Sequence, residues 1–290
     1  MPFPRRLDAA LRKLCRLSKK DVRAAIRSGR VAVDGARVGL SQTTRVNQFS
    51  RLELDGAIVH EKMAYYIMLH KPAGVVSARN DADKVCAVDI LARGGFSLGH
   101  TSLGHTTSLM NNSSLLVPFR NELSIAGRLD RSTTGLLLLT NDGHWMRRIM
   151  DGRQGTVEKE YRVTTRFPLP DLQAASAQFL EGLHLPGSKL PDNKRICRPA
   201  RLKKLMTLSC GDTTTASKAT NPFFEEDCTY SISLCEGKRH QVKRMIHAVS
   251  HGKNRVVALH RMRIGNLVLD EEALPLGAWR FLTGEEVANF

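Results

Sequence analysis

The chain has 290 residues, of which 42% are hydrophobic and 25% charged, a globular composition that excludes a wholly disordered protein. Forty-four Lys and Arg against 28 Asp and Glu leave a net charge of +16, which points to a polyanionic partner, nucleic acid before membrane. No apolar run approaches the roughly 20 residues that cross a bilayer. Six scattered cysteines (Cys15, Cys86, Cys197, Cys210, Cys228, Cys235) with no C-x-x-C pair exclude a disulfide scaffold and read as free thiols in a reducing compartment.

The Arg-rich first twenty residues lack the continuous apolar core of a secretory signal. Leu7, Ala10, Leu11 and Leu14 instead recur at helical spacing and predict a helix with one apolar face. A second helix follows, with Ser18 as N-cap, Asp21 in the position of a capping box, Val22, Ala25 and Ile26 inward, and Gly29 as its left-handed stop. On its other side Lys20, Arg23, Arg27 and Arg30 fall at i, i+3, i+7 and i+10, a basic stripe with no interleaved acid. Such a run is either a solvated helix face or a phosphate-binding one, and its single sign favours the second. Asp34-Gly35 between two short apolar strands reads as a tight hairpin. A second Asp-Gly turn, Asp55-Gly56, follows the strand around residues 51–54. Residues 1–62 hold 14 Lys/Arg and 6 Asp/Glu, half of the whole surplus in about a fifth of the chain, and form the first domain.

The second domain, residues 63–290, opens with a buried strand from Tyr65 to His70, stopped at Lys71-Pro72-Ala73-Gly74. Two polar segments within it read as inserted surface loops, residues 93–120 and 206–227. The first carries the near repeat Ser97-Leu98-Gly99-His100-Thr101 and Ser102-Leu103-Gly104-His105-Thr106. With no carboxylate or thiol beside them, its histidines are not read as metal ligands. The densest segment runs Gly127-Arg128-Leu129-Asp130-Arg131-Ser132-Thr133-Thr134-Gly135 into a run of four leucines and an Asn141-Asp142-Gly143 turn. A core strand therefore starts just after an aspartate flanked by two arginines. Taken alone, that aspartate is better read as a structural ion pair or a turn cap. Farther on, Glu158-Lys159-Glu160-Tyr161-Arg162-Val163 reads as a strand. Val242, Met245, Ile246 and Val249 predict a helix opening after Gly237, with Lys238, Arg239, His240 and Gln241 in its first turn, a natural seat for phosphate.

Together these motifs resemble the pseudouridine synthases that modify ribosomal RNA. The resemblance rests on Gly127-Arg128-Leu129-Asp130, on Glu158-Lys159-x-Tyr161, on Glu236-Gly237-x-x-His240-Gln241-Val242-Lys243-Arg244-Met245, and on Leu259-His260-Arg261 with Ile264-Gly265. Asn141-Asp142-Gly143-His144-Trp145 is closest to the type acting on small-subunit ribosomal RNA, and residues 5–50 resemble an alpha-L RNA-binding domain. The match covers nearly the whole chain apart from the two insertions.

The resemblance implies an α+β protein: a small alpha-L RNA-binding domain tethered to a catalytic domain built on a mixed, largely antiparallel sheet. It implies isomerisation of one uridine to pseudouridine. That reaction breaks the bond from the ribose anomeric carbon to nitrogen, turns the uracil and rejoins it through carbon 5. Nothing is oxidised and nothing added, so the reaction asks for no cofactor and no metal. It asks for a carboxylate against the sugar, as nucleophile or as proton acceptor, a role the resemblance gives to Asp130. Lys243 is the cation beside it, and Tyr161 the aromatic that stacks on the flipped base. Arg128 is the implied contact near the flipped nucleotide, and Lys20, Arg23, Arg27, Arg30, Arg239, His240 and Gln241 are read as RNA-binding. The expected partner is ribosomal RNA or a ribosomal assembly particle, met by a monomer in the cytoplasm and away from membrane. Two rivals remain. A non-catalytic RNA-binding ribosome-assembly factor would need the basic stripe but not Asp130, Tyr161 and Lys243. A DNA-binding regulator using a helix-turn-helix would not need the Asp34-Gly35 hairpin directly after its second helix.

Overall fold

A computed structural model of the chain describes residues 6–38, 44–92, 120–150, 157–185, 196–205 and 228–290. The two polar segments read as insertions, 93–120 and 206–227, lie outside the described residues, save residue 120. The chain divides into two compact units, Met1–Ala64 and Tyr65–Phe290.

In the first unit, helix α1 (Leu7–Cys15) buries Leu7, Ala10 and Leu11, whereas Leu14 at the same spacing is 37% exposed. Helix α2 (Lys19–Arg27) starts where the sequence placed its cap, with the Ser18 hydroxyl accepting from the Asp21 amide at 3.2 Å. Its buried residues Val22, Ala25 and Ile26 meet Leu7, Leu11, Val31 and Leu52 in one small core. Strands β1 (Val31–Val33), β2 (Ala36–Arg37), β3 (Leu52–Leu54) and β4 (Ala57–His60) form a sheet ordered β2-β1-β3-β4. Both hairpins turn through two residues at positive φ, Asp34 (52°) with Gly35 (82°) and Asp55 (53°) with Gly56 (79°). This double left-handed turn matches the strand twist, and Asp-Gly is the pair that adopts it at low cost.

One expectation for this unit needs correction. Arg30 does not continue the α2 stripe, because the helix ends at Arg27 and Gly29 reverses the chain at φ +68°. Its guanidinium makes a bidentate ion pair with Asp55 across the sheet end. The exposed stripe on the helix is therefore Lys20, Arg23 and Arg27.

The second unit is built on a nine-stranded sheet of β5 (Tyr66–Lys71), β6 (Ser124–Ala126), β7 (Thr134–Thr140), β8 (Lys159–Thr165), β9 (Arg201–Lys204), β10 (Thr229–Leu234), β11 (Val256–Ile264), β12 (Leu267–Val268) and β13 (Trp279–Phe281). The main order is β13-β5-β7-β11-β8-β10-β9, with β6 beside β7 and β12 beside β11. Only the central β7–β11 pair is parallel among the described strands. Alternation divides each central strand between two apolar layers. Ile67, Leu69, Leu137, Leu139, Tyr161 and Val163 face one layer, and helices α5 (Leu172–Glu181) and α6 (Gln241–Val249) add Phe179, Met245 and Ile246 to it. Met68, Leu136 and Leu138 face the other, covered by Trp145 and Ile149 of α4 (Gly143–Met150) and by Leu269 and Leu274 from the segment after β12. Helix α3 (Ala87–Ala92) packs on the first layer through Val88 and Leu91, and α7 (Gly284–Ala288) ends the chain with a full capping box at Thr283.

The parallel pair is unusually close at one point. Gly135 lies opposite Arg261 with φ +109°. A Cβ there would stand 2.5 Å from the Arg261 nitrogen and closer still to its carbonyl oxygen. Glycine is thus required both by conformation and by space where the loop carrying Asp130 enters the sheet.

Candidate active site

The loop from Gly127 to Thr133 is fixed by main-chain contacts from several directions. The Ser77 hydroxyl donates to the Leu129 carbonyl at 2.9 Å and accepts from the Leu129 amide at 3.1 Å, while the Leu129 side chain is buried. Beyond the aspartate, the Thr133 amide closes a turn onto the Asp130 carbonyl at 3.0 Å. The Gly74 amide donates to the Arg131 carbonyl at 2.8 Å, and Arg131 Nε returns a bond to the Gly74 carbonyl at 3.0 Å. Beneath the loop Lys71 is fully buried, its ammonium donating to the carbonyls of Thr133 (2.8 Å) and Pro72 (2.9 Å). Burial pushes this lysine down to about 8, with Arg261 acting the same way and Asp130 opposing.

The Asp130 carboxylate projects from this frame with 28% of its side chain exposed. Lys243 Nζ lies 3.1 Å from one oxygen and also donates to the Ser132 hydroxyl at 3.1 Å. His240 Nε2 lies 3.6 Å from the other oxygen. The two partners come from the start of α6 and the turn before it, so one short segment supplies both.

That segment departs from the expected helix start. The helix begins at Gln241, so Lys238, Arg239 and His240 form a preceding turn and not a first helical turn. His240 takes a left-handed conformation at φ 51°, and the Gln241 side-chain oxygen accepts from the Lys238 amide at 2.7 Å. The Gln241 amide nitrogen donates to Glu236 at 2.6 Å and approaches the Cys197 sulfur at 3.4 Å. Gln241 is 4% exposed, so its amide braces the turn and is committed inside the protein, a different duty from the RNA contact read from the sequence. His240 likewise faces the carboxylate, which the sequence did not foretell.

Asp130 opens on a cleft of about 1020 Å³ whose lining includes Arg128, Tyr161, Arg239 and His240. Eight Lys and Arg line it against three Asp and Glu, a surplus suited to a phosphate backbone. Tyr161 on β8 is 8% exposed, and its hydroxyl accepts from Arg261 Nη1 at 3.5 Å. Arg261 was not singled out from the sequence as a site residue. It is 1% exposed, donates through Nε to the Leu136 carbonyl at 2.8 Å, and has Nη2 unpartnered among the described residues. Its signal was the Leu-His-Arg run, but a strand arginine ordinarily reads as surface. Ser77, Ser132 and Lys71 were missed as well, since each acts through a contact set by folding. Lys20, Arg23, Arg27 and Arg30 belong to the other unit.

Comparison with known proteins adds the following. Residues 65–248 match the model of a family described as RNA pseudouridylate synthase. The chain is 35% identical over 286 residues to the ribosomal small subunit pseudouridine synthase A of Pseudomonas aeruginosa, covering 98% of this chain and 99% of that protein. It is 33% identical over 285 residues to the protein of the same name from Yersinia pestis, covering 98% and 97%. A crystal structure of a pseudouridylate synthase is similar with a TM-score of 0.55 and 30% identity, over 99% of each chain.

Proposed function

The chain belongs to the RNA pseudouridylate synthase family, and on that premise we propose that its target is one uridine in the RNA of the small ribosomal subunit, with Asp130 as the carboxylate that acts on the ribose. The observation that carries the reading is the position of Asp130. It sits on a braced loop lining a cationic cleft, 3.1 Å from Lys243 and 3.6 Å from His240. Lys243 sets a positive charge against one carboxylate oxygen, and the His240 ring stands beside the other. The Tyr161 ring lines the same cleft and offers the surface on which an extruded uracil stacks. Arg128 and Arg239, also on its lining, meet the phosphates flanking that nucleotide.

In the reaction the bond from the anomeric carbon to N1 breaks and a bond to C5 forms, while the C5 proton is lost and N1 gains one. The substrate's atoms are conserved, so binding, base extrusion and placement of one carboxylate carry the chemistry. The exposed cations of α2, Lys20, Arg23 and Arg27, give a second hold on the RNA backbone. The reading includes action as a monomer in the cytoplasm, which the five free cysteines among the described residues suit.

The test is direct. The full chain, incubated with small-subunit ribosomal RNA as free transcript and as partly assembled particles, should convert one uridine to pseudouridine. Conversion only in large-subunit or transfer RNA would overturn the substrate, and conversion in none of them would overturn the activity.

A further inference from the structure

Behind the catalytic layer the sheet carries a second group of chemically capable side chains. His70 and His260 each precede by one residue the two buried cations of the active-site face, Lys71 and Arg261. Pleat alternation therefore turns the histidines to the opposite layer, that of Met68, Leu136 and Leu274. Their rings are 5.3 Å apart and nearly perpendicular, at 82°. His70 is 3% exposed and His260 8%, yet Nε2 of each is buried and has no hydrogen-bond partner among the described residues. Glu271, on the segment after β12, brings a carboxylate oxygen to 3.6 Å from His260 Nε2. One donor atom from each of the three residues lies within 4.8 Å of the others.

From this placement we infer that His70, His260 and Glu271 form a binding site for a divalent transition cation of the zinc class, outside the active site. The outer contacts are those expected of ligating histidines. His70 Nδ1 meets the Leu274 carbonyl at 2.8 Å, which fixes its proton there and leaves Nε2 as a lone pair. His260 Nδ1 meets the Thr134 hydroxyl at 2.8 Å, a group able to accept its proton and so leave Nε2 as the ligating lone pair. Two imidazoles and one carboxylate, with a fourth position open to water, are a recognised donor set for a tetrahedral ion. Bonds of about 2.1 Å place tetrahedral donors roughly 3.4 Å apart, so donors now within 4.8 Å of one another draw together on binding, with the half-exposed Glu271 side chain the freest to move. Arg162, paired with Glu271 at 2.9 Å, competes for that carboxylate and moderates the affinity. The bound ion would tie β5 and β11 to the segment after β12, which roofs this layer. It takes no part in the isomerisation, whose residues lie on the other face.

Cobalt(II) is the probe, because its visible bands are intense only at low coordination number. The full chain, stripped with a chelator, should bind one Co²⁺ with tetrahedral-type absorption, and one equivalent of Zn²⁺ should bleach it. Glu271→Gln, at a partly exposed position that spares the core, should weaken Co²⁺ binding at least tenfold. His260→Asn should abolish the bands, and Zn²⁺ should raise the thermal midpoint of the wild type but not of either variant. Absence of a stoichiometric tetrahedral spectrum in the wild type would overturn the inference. So would a Glu271→Gln protein with unchanged affinity and spectrum, since the ion would then sit elsewhere.

Discussion

Lys71 allows the buried electrostatics beneath the active-site loop to be read through stability. Burial lowers its ammonium from 10.5 to about 8 in the folded protein, while the unfolded chain titrates near 10.4. Below pH 8 both states carry the proton, and the folded state bears the full cost of a buried cation. Between pH 8 and about 10.4 the unfolded chain holds a proton that the folded chain has released, so stability rises with pH across that window. A fall from 10.5 to about 8, at 1.36 kcal/mol per pH unit, is on the order of 3–4 kcal/mol. Lys71→Met keeps the length of the side chain and removes the charge. Urea unfolding followed through Trp145 and Trp279, both buried in this unit, gives the free energy of each protein. Wild-type stability measured relative to Lys71→Met should climb by about 2–3 kcal/mol from pH 7.5 to 10. Lys159, also lowered by burial, and Tyr66, raised by it, contribute to both curves and cancel in the difference. A difference that stays flat within about 0.5 kcal/mol over that range, an order of one weak surface interaction, would refute the reasoning.

Four further outcomes rest on the geometry. Gly135→Ala, forcing a Cβ against the Arg261 backbone at φ +109°, should cost on the order of 3 kcal/mol or more. Gly143→Ala, with nothing within 4 Å of the new Cβ, serves as control and should shift urea unfolding by under about 1 kcal/mol. Neutralising Lys20, Arg23 and Arg27 should flatten the salt dependence of RNA binding by about 0.7–0.9 per residue. Adding Arg30→Gln, whose charge is already paired with Asp55, should add less than any one of these. Lys243→Met, which strips the cation at 3.1 Å from Asp130, should lower turnover on the order of a hundredfold or more in single-turnover assays. RNA affinity in that variant should stay within a few-fold, and Tyr161→Phe, which keeps the stacking ring, should stay far more active than Tyr161→Leu.

What the sequence disclosed was mainly local. Asp-Gly pairs announced both hairpins because so few residues tolerate two successive positive φ values, and Ser18 announced α2 because its hydroxyl caps an amide three residues away. The leucine run from Leu136 to Leu139 announced the central strand, being apolar on both faces as a strand covered on two sides must be. That Asp130 and Lys243 would stand together was legible through motif order. What stayed hidden is set by register between distant segments. Ser77 grips Leu129 from 52 positions away, and His70 meets the Leu274 carbonyl from 204 positions away. Periodicity placed Arg30 on a stripe, but one glycine reversed the chain and delivered it to Asp55. The helix after Gly237 began late because Gln241 turned its amide inward onto Glu236 and Lys238, a choice spacing alone does not reveal. Arg261 resembles a solvent-facing strand arginine until β7 and β8 close around it.

The role of Asp130 is tested most directly by Asp130→Asn, which preserves shape but removes the charge and turns one acceptor oxygen into an N–H donor. Pseudouridine formation in small-subunit ribosomal RNA should be measured at saturating enzyme, alongside RNA affinity. Turnover should fall by about 10⁴ or more, as for groups that take part in bond-making, with affinity within a few-fold of the wild type. Residual turnover above about a hundredth of the wild-type rate would contradict it, since a merely structural carboxylate beside Lys243 would then suffice to explain the loss.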